Sequence, residues 1–355
     1  MDSLFLVSVR ASAIAVLIAA VSVAAADCIR SGTDVEINTA LLGPGARAVL
    51  CRGATFRLSH RIVLSSDGQQ IYTDHLPTGD SRAHIEVADP SLSTAIFSRA
   101  SNVTVHHLIV DGARTRLGRD PKGEALIELG GDVAGIDVDH VRAFDPRGWS
   151  ILHIFEGSRH CNGARVVDNE FGPSGHPDGE WADGISFACR SGVVRHNTIS
   201  DASDGGIVIF GAPGTLVEDN LIITHSNTLL GGINLVDYRP FDGDYTGTIV
   251  RHNRIEAPGG YIKVAIAAGP AVWGASAEHV VRGAAITDNI IVGGHMGFGI
   301  AADGVADFNI TGNKASSRFS GRRDDRCWPG TTPPGHAFVR NAASTSGTFQ
   351  KEFEA

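Results

Sequence analysis

Residues 182–223 read ADGISFACRSGVVRHNTISDASDGGIVIFGAPGTLVEDNLII. The stretch says nearly the same thing twice. Gly184-Ile185-Ser186-Phe187 precedes Val194-Arg195-His196-Asn197-Thr198-Ile199, and one period later Gly206-Ile207-Val208-Ile209 precedes Val217-Glu218-Asp219-Asn220-Leu221-Ile222. From Asn197 to Asn220 is 23 residues. That is too short for two parallel strands with a helical crossover, yet long enough for two or three short strands joined by tight Gly and Asx turns. Such a unit is one coil of a solenoid.

Working outward, an apolar residue stands three before, and another two after, a recurring polar position. That position reads His106, Asp139, Asn169, Asn197, Asn220, Asn253, Asn289 and Asn313 along the chain. Eight coils follow from this reading. At about 4.8 Å per coil they would make a column roughly 40 Å long. A second apolar strand recurs in each coil, as in Ile185-Ser-Phe, Ile207-Val-Ile, Ile233-Asn-Leu and Ile262-Lys-Val, with Gly184, Gly206, Gly232 and Gly299 close by. Glycine there is expected to bend the chain between sheets with φ > 0. The asparagine column itself is expected to be structural, each side chain satisfying buried amides of the neighbouring coil, and His106 and Asp139 share that expectation.

Ahead of the repeat, strand-like runs appear at Val35-Glu-Ile, Ala48-Val-Leu, Thr55-Phe-Arg-Leu, Ile62-Val-Leu and Gln70-Ile-Tyr. A solenoid needs its open end covered, so residues 27–75 are read as an N-terminal cap and first coil, and 76–317 as the repeats. Residues 318–355, rich at first in Arg, Asp, Pro and Gly, are read as a C-terminal cap in which Ala337-Phe-Val, Phe349 and Phe353 fold back over the last coil. Residues 1–26 read as a secretory signal peptide: Arg10 precedes a short apolar run, and Ala24-Ala25-Ala26 offers a cleavage site. A secreted protein is the corresponding expectation. Its five cysteines should then pair where geometry allows, and proximity in the repeat suggests Cys28 with Cys51 and Cys161 with Cys189, among other schemes, leaving Cys327.

The whole pattern resembles the right-handed parallel β-helix of the pectate-lyase-like superfamily; the handedness comes from that resemblance. It implies an all-β, single-domain solenoid of about eight or more coils with caps at both ends. The fold hosts polysaccharide lyases, glycoside hydrolases, uronan C5-epimerases and non-catalytic binding proteins, so it does not select a chemistry.

Composition narrows the partners. The formal charge of the 355-residue chain is −9 and no basic patch stands out, which disfavours nucleic acid and weakly opposes a polyanionic substrate at long range. No Gly-x-Ser-x-Gly, P-loop or Cys-x-x-Cys motif occurs. His153, His176, His279 and His295 show no metal-ligand spacing.

With Ile185, Ile207, Ile233 and Ile262 pointing inward, Ser186, Val208, Asn234 and Lys263 form one outward file. Long loops flank it, carrying Trp181, Tyr238, Phe241, Tyr245 and Trp273, whose rings suit sugar faces. Two constellations fit this groove. In one, Lys263 is the base of a β-elimination, supported by Asn234, Arg239, His225, Tyr238 and Tyr261, which would neutralise a uronate and move its C5 proton. In the other, Asp183 and Asp204 stand ahead of their strands in adjacent coils, at a spacing that suits the acid and base or nucleophile of a glycoside hydrolase. Tyr261-Ile262-Lys263 is similar to the Arg-Ile-Lys block of β-helix polygalacturonases, whose other blocks are missing. Asp237, Asp242 and Asp244 make Ca2+ a candidate cofactor. The leading expectation is a polysaccharide lyase or C5-epimerase acting on a uronic-acid-containing glycan; a hydrolase using Asp183 and Asp204, and a non-catalytic glycan-binding solenoid, are the alternatives. A monomer without a membrane span is expected.

Overall fold

The computed structural model of the chain describes residues 28–176, 180–274, 278–321 and 335–354; the expected signal peptide and Cys327 lie outside the described residues. Short strands pair in parallel with their counterparts in the previous and next coils. One twelve-stranded sheet begins at Arg47–Leu50 and continues through Gln70–Thr73, Thr104–His106, Asp137–Asp139 and onward. A second sheet of eighteen strands covers the other faces. Its two ladders are separate where the coils are short, then join because the single strand Arg254–Ala268 runs through both. The chain is an all-β parallel β-helix.

The inside is stacked aliphatic. Leu152, Ile185, Ile207, Ile233, Ile266 and Ile300 occupy one register column and are fully buried. Each such side chain contributes about 1.5–3 kcal/mol relative to exposure. Ile266, rather than the expected Ile262, continues this column; Ile262 pairs with Leu229. The glycines near these strands also differ from expectation: none of Gly184, Gly206, Gly232 or Gly299 has a positive φ. They are glycine because the coils approach closely. A Cβ on Gly206 would sit 2.5 Å from the Gly232 carbonyl oxygen, and one on Gly299 2.2 Å from that of Ala337.

The left-handed bend lies elsewhere, one residue before each ladder asparagine. Asp168, His196, Asp219, His252 and Asp288 have φ between 54° and 59°, and Gly312 has 73°. Asp, His and Gly tolerate that region better than branched residues do. Each bend turns the next asparagine into the core. Asn197 Nδ2 donates to Val166 O (2.8 Å) and to Asn220 Oδ1 (2.9 Å), while its backbone N–H also donates to Asn220 Oδ1 (2.9 Å). The same set repeats at Asn169, Asn220, Asn253 and Asn289, and Gln350 Oε1 accepts from the Asn313 N–H at the last rung (3.0 Å).

His106 and Asp139 are not on this ladder. They pair with each other and with Val167, two residues before the rung, whose occupants in those coils are the apolar Leu108 and Val141. Val141 N–H is instead the donor that starts the ladder, to Asn169 Oδ1 (2.9 Å).

Asp34–Ala40 is an α-helix, not the expected strand. Thr33 and Glu36 form a capping box, which satisfies donors of the first turn. The helix presses Ile37 onto the open coil, and Asp34 Oδ1 accepts from Ser59 and His60 N–H. The Cys28–Cys51 and Cys161–Cys189 bonds are both present, joining neighbouring coils. Beyond Ser317 the ladders continue, with Phe338–Arg340 on Ile300–Ala302 and Thr345–Phe349 along Val305–Ile310. Phe338, Phe349 and Phe353 then gather over the end of the core.

Replacing Asn220 by Leu removes the partner of Val194 O and of the Asn197 amide at once. The expected cost is about 1–3 kcal/mol for each buried group left unpaired. Urea unfolding should show a lower midpoint at unchanged slope; a native midpoint would mean that these hydrogen bonds do not hold the coils together.

Candidate active site

Register fixes which side chains share the outer face. Glu128, His153, Ser186, Val208, Asn234 and Ala267 follow one another from coil to coil. The neighbour of Asn234 is therefore Ala267, and Lys263 lies four residues earlier in the same long strand. The expected Asn234–Lys263 adjacency does not form. Lys263 is itself buried, as is Tyr261, whose ring meets His295 edge-on at 4.7 Å. His225 stands on a turn held by Asp201, and Tyr238 stacks on His279 at 4.1 Å. Of the residues assigned to proton abstraction, Tyr261 and Lys263 share one strand, with Lys263 in register with Leu230, while Asn234 and Arg239 line two neighbouring clefts and Tyr238 stacks elsewhere.

The aspartates are gathered. A cleft of about 390 Å3 over this face is lined by Asp183, Asp204 and Asp237, with Trp181 and Trp273 among its walls and Val208, Phe210, Leu230, Asn234 and Val236 completing it. Its lining holds three carboxyls and, among the described residues, no cationic side chain. Asp183 is held from behind: Gly205 N–H donates to Oδ1 and Ser186 Oγ to Oδ2, both at 2.7 Å. Ser186, expected as an exposed contact, is fully buried and reaches Ser150 Oγ at 2.9 Å. Bare backbone makes the room, since a Cβ on Gly205 would lie 2.9 Å from Asp183 Oδ1 and one on Gly231 2.0 Å from Asn234 Oδ1. Asn234 Oδ1 itself is buried at the cleft with no hydrogen-bond partner among the described residues.

Asp237 entered the sequence reading only as a calcium ligand. It stands just past the end of strand Thr228–Leu235, where Asp183 and Asp204 stand at or before the start of theirs, so no shared motif marks it. Its backbone is pinned by Tyr245. The Asp237 N–H donates to the Tyr245 hydroxyl (3.2 Å), which donates to Ile209 O (2.7 Å). Tyr245 is fully buried and Phe241 nearly so, which makes them supports of this loop rather than sugar platforms. Asp242 pairs with Arg159 (2.7 Å) and Asp244 caps the Thr246 amide (2.9 Å), so neither carboxylate joins Asp237 in the cleft.

Burial sets the electrostatics. It raises the Asp183 carboxyl well above the ordinary carboxylate range, and the Asp204 charge adds to this against the lowering effect of the Ser186 and Gly205 hydrogen bonds. Burial and then Asp204 push Asp237 up to about 7. Asp237, which keeps its proton up to about pH 7, and Asp204, whose charge raises both neighbours, supply an acid and an acceptor within one cleft.

The groove extends beyond this point. An adjoining cleft of about 610 Å3 shares Phe210 and Asp237 and adds Trp149, His153, Glu156, Arg159 and Arg239. A third, of about 620 Å3, shares His153 and Glu156 and reaches Arg99 and Glu128. The outer face is therefore a continuous trough across several coils. Trp149 and His153 meet edge-on at 4.8 Å on its floor, and burial lowers the His153 imidazole to about 4. Neither was foreseen, although His153 follows from the register of Ser186.

Residues 162–321 match the sequence model of a right handed beta helix region. No curated protein sequence matches the chain. Among solved structures, the surface protein and adhesin PfbA of Streptococcus pneumoniae overlays with a TM-score of 0.51 at 12% identity, covering 89% of this chain and 95% of that one. An alginate lyase from Paenibacillus sp. str. FPU-7 gives 0.45 at 14%, covering 90% and 99%. A hyperthermoactive exopolygalacturonase from Thermotoga maritima gives 0.44 at 14%, covering 82% and 89%. At such identities the likeness concerns the fold alone; the matched sequence model gives the hand of the helix as right.

The raised carboxyl of Asp237 has a consequence for stability. The folded protein holds this proton more tightly than the unfolded chain does, so the contribution is full below about pH 4 and is lost as pH rises through about 7. Asp237→Asn abolishes that loss. The variant should melt at nearly the parent temperature at pH 4 and above it at pH 8, by calorimetry; equal melting at both would place Asp237 in solvent.

Proposed function

We propose that this right-handed parallel β-helix, of the pectate-lyase-like type, is a glycoside hydrolase that cleaves a glycan lying along the trough. The observation that carries the reading is the convergence of Asp183, Asp204 and Asp237 from three successive coils into one cleft walled by two tryptophans. Hydrolysis of a glycosidic bond needs one carboxylic acid to protonate the leaving oxygen and one carboxylate to activate water or attack the sugar. Asp237, protonated up to about pH 7, takes the acid role. Asp204 takes the role of the ionised carboxylate, and Asp183, held by Ser186 and Gly205, orients it or the sugar hydroxyls. Trp181 and Trp273 offer apolar faces to the pyranose on either side of the bond.

The point of cleavage favours a neutral sugar residue. A uronate there would bring a further negative charge beside Asp204, whose charge already raises Asp183 and Asp237. Arg239 and Arg159 lie in the adjoining cleft, where an acidic or polar substituent further along the chain is accommodated. The Cys28–Cys51 and Cys161–Cys189 bonds support an oxidising, exported setting. No helix among the described residues is long and apolar enough to cross a membrane.

The test is a screen of purified protein against neutral and uronic-acid-containing glycans. New reducing ends without absorbance of an unsaturated uronate are expected, with activity falling above about pH 7 as Asp237 loses its proton. Asp204→Asn and Asp237→Asn should each lower kcat by about 10²-fold or more, while Lys263→Ala leaves the bond-breaking step intact. An unsaturated product, or a loss of turnover confined to Lys263→Ala, would replace this reading by the lyase. Saturable glycan binding with no product would replace it by the binding solenoid.

A further inference from the structure

Two coils ahead of the cleft, on the bend between sheets, four ionisable side chains crowd one spot. His106 ends strand Thr104–His106, His107 is the left-handed residue after it at φ 51°, and Asp139 is the register partner of His106 on the next coil. His107 Nδ1 lies 3.3 Å from His106 Nδ1 and 3.7 Å from Asp139 Oδ1. One ligand atom from each of the three lies within 4.8 Å of the others, a grouping found nowhere else among the described residues.

We infer that His106, His107 and Asp139 form a binding site for a divalent transition metal of the zinc class, which staples two adjacent coils. The spacing is that of a coordination sphere. A tetrahedral ion with ligands at about 2.0–2.1 Å spreads neighbouring donors about 3.3–3.4 Å apart, against 3.3 Å between the two imidazole nitrogens and 3.7 Å from His107 to Asp139. Two imidazoles and one carboxylate match the preference of zinc and its neighbours, and differ from the all-oxygen cages of Ca2+. Three protein ligands leave the fourth position to water, consistent with the partial exposure of His106 and Asp139.

The surroundings are those of a supported site. His140 Nδ1 lies 2.7 Å from Asp139 Oδ1, and its ring stacks on His107 at 4.5 Å, which fixes the carboxylate and one ligand ring together. Carboxylate–imidazole contacts of this kind orient ligands from outside the first sphere. The Tyr72 ring covers His106 at 4.7 Å. The nearest cation, Arg82, is turned away to the His140 carbonyl (2.8 Å) and Glu170 (3.0 Å), so its charge is partly neutralised. Apart from its 3.3 Å contact with His107, His106 has a second ring nitrogen, Nε2, that is buried with no hydrogen-bond partner among the described residues.

The experiment uses untagged full-length protein, stripped with a chelator and titrated with Zn2+ and then Co2+. One equivalent per chain is expected to remain after gel filtration, the melting temperature should rise until one equivalent is reached, and Co2+ should give the intense visible absorption of a low-coordinate site. His107→Asn, chosen because Asn tolerates the left-handed bend, and Asp139→Asn should reduce the retained metal from one equivalent to near zero. His140→Asn should weaken binding about 10- to 100-fold, as loss of an orienting partner does. Asp204→Asn should retain the full equivalent, which separates this site from the carboxylates of the cleft. Absence of retained zinc in the parent, or retention unchanged in His107→Asn and Asp139→Asn, overturns the inference.

Discussion

The fold depends on one repeated hydrogen-bond pattern, the asparagine that receives two donors from the preceding coil, gives its amide to a carbonyl of that same coil, and donates again to the asparagine of the next. A short-coiled solenoid must turn its backbone sharply inside an apolar core, and each turn leaves peptide groups that no strand can pair. An asparagine facing inward carries both a donor and an acceptor, so one residue type closes the account at every rung. Because Asn169 to Asn313 are linked to one another, each also fixes the axial register of the next. The left-handed residue before each rung follows from the same demand, since it aims the side chain inward.

Register, once fixed, decides the chemistry of the outer face. With coils about 4.8 Å apart, a residue at the edge of one strand is brought beside its counterpart on the next without any loop having to carry it there. Asp183 is the register neighbour of Gly205, and Asp204, one residue earlier on that coil, reaches the same cleft. Asp237 comes from the other end of its strand and needs a separate device, the buried Tyr245 hydroxyl bridging to Ile209. Gathering three carboxyls in burial is costly, and the cost appears as the raised carboxyls of Asp183 and Asp237.

Much of the fold is legible in the sequence because the asparagines are spaced by whole coils, and the cysteine pairs follow from the same spacing. The misreadings have physical causes. Where the rung is filled by Leu108 and Val141, no polar residue marks it, and His106 and Asp139 two positions earlier take its apparent place. The helix Asp34–Ala40 hides under an alternation of Val35 and Ile37 that reads as strand, though Thr33 and Glu36 announce a cap. Lys263 was drawn into the outer file because Ile262 follows glycines, whereas the true counterpart of Gly232 is Ala265 and the true column residue is Ile266. Alanine stands at that position, so the glycine signal is absent. Asp237 was invisible for want of a neighbour with the same placement.

The metal-ligand cluster and the acidic cleft illustrate a division that the coil geometry makes available. The bend before each rung must accept a left-handed residue, and histidine and aspartate are among the few that do so without glycine's loss of order. A column of bends therefore concentrates His and Asp at one edge of the solenoid for conformational reasons alone, as at His107, His140, Asp168, His196, Asp219, His252 and Asp288. Of these, His196 pairs with Asp168 and Asp219 at an exposed place and contributes little. Only where a second histidine precedes the bend, as His106 does, do three ligand atoms converge. The cleft lies on the face of a different strand, where the backbone is extended and glycines clear the space. The bends that feed the rungs and the residues that line the acidic cleft occupy different positions, so the one can vary without the other.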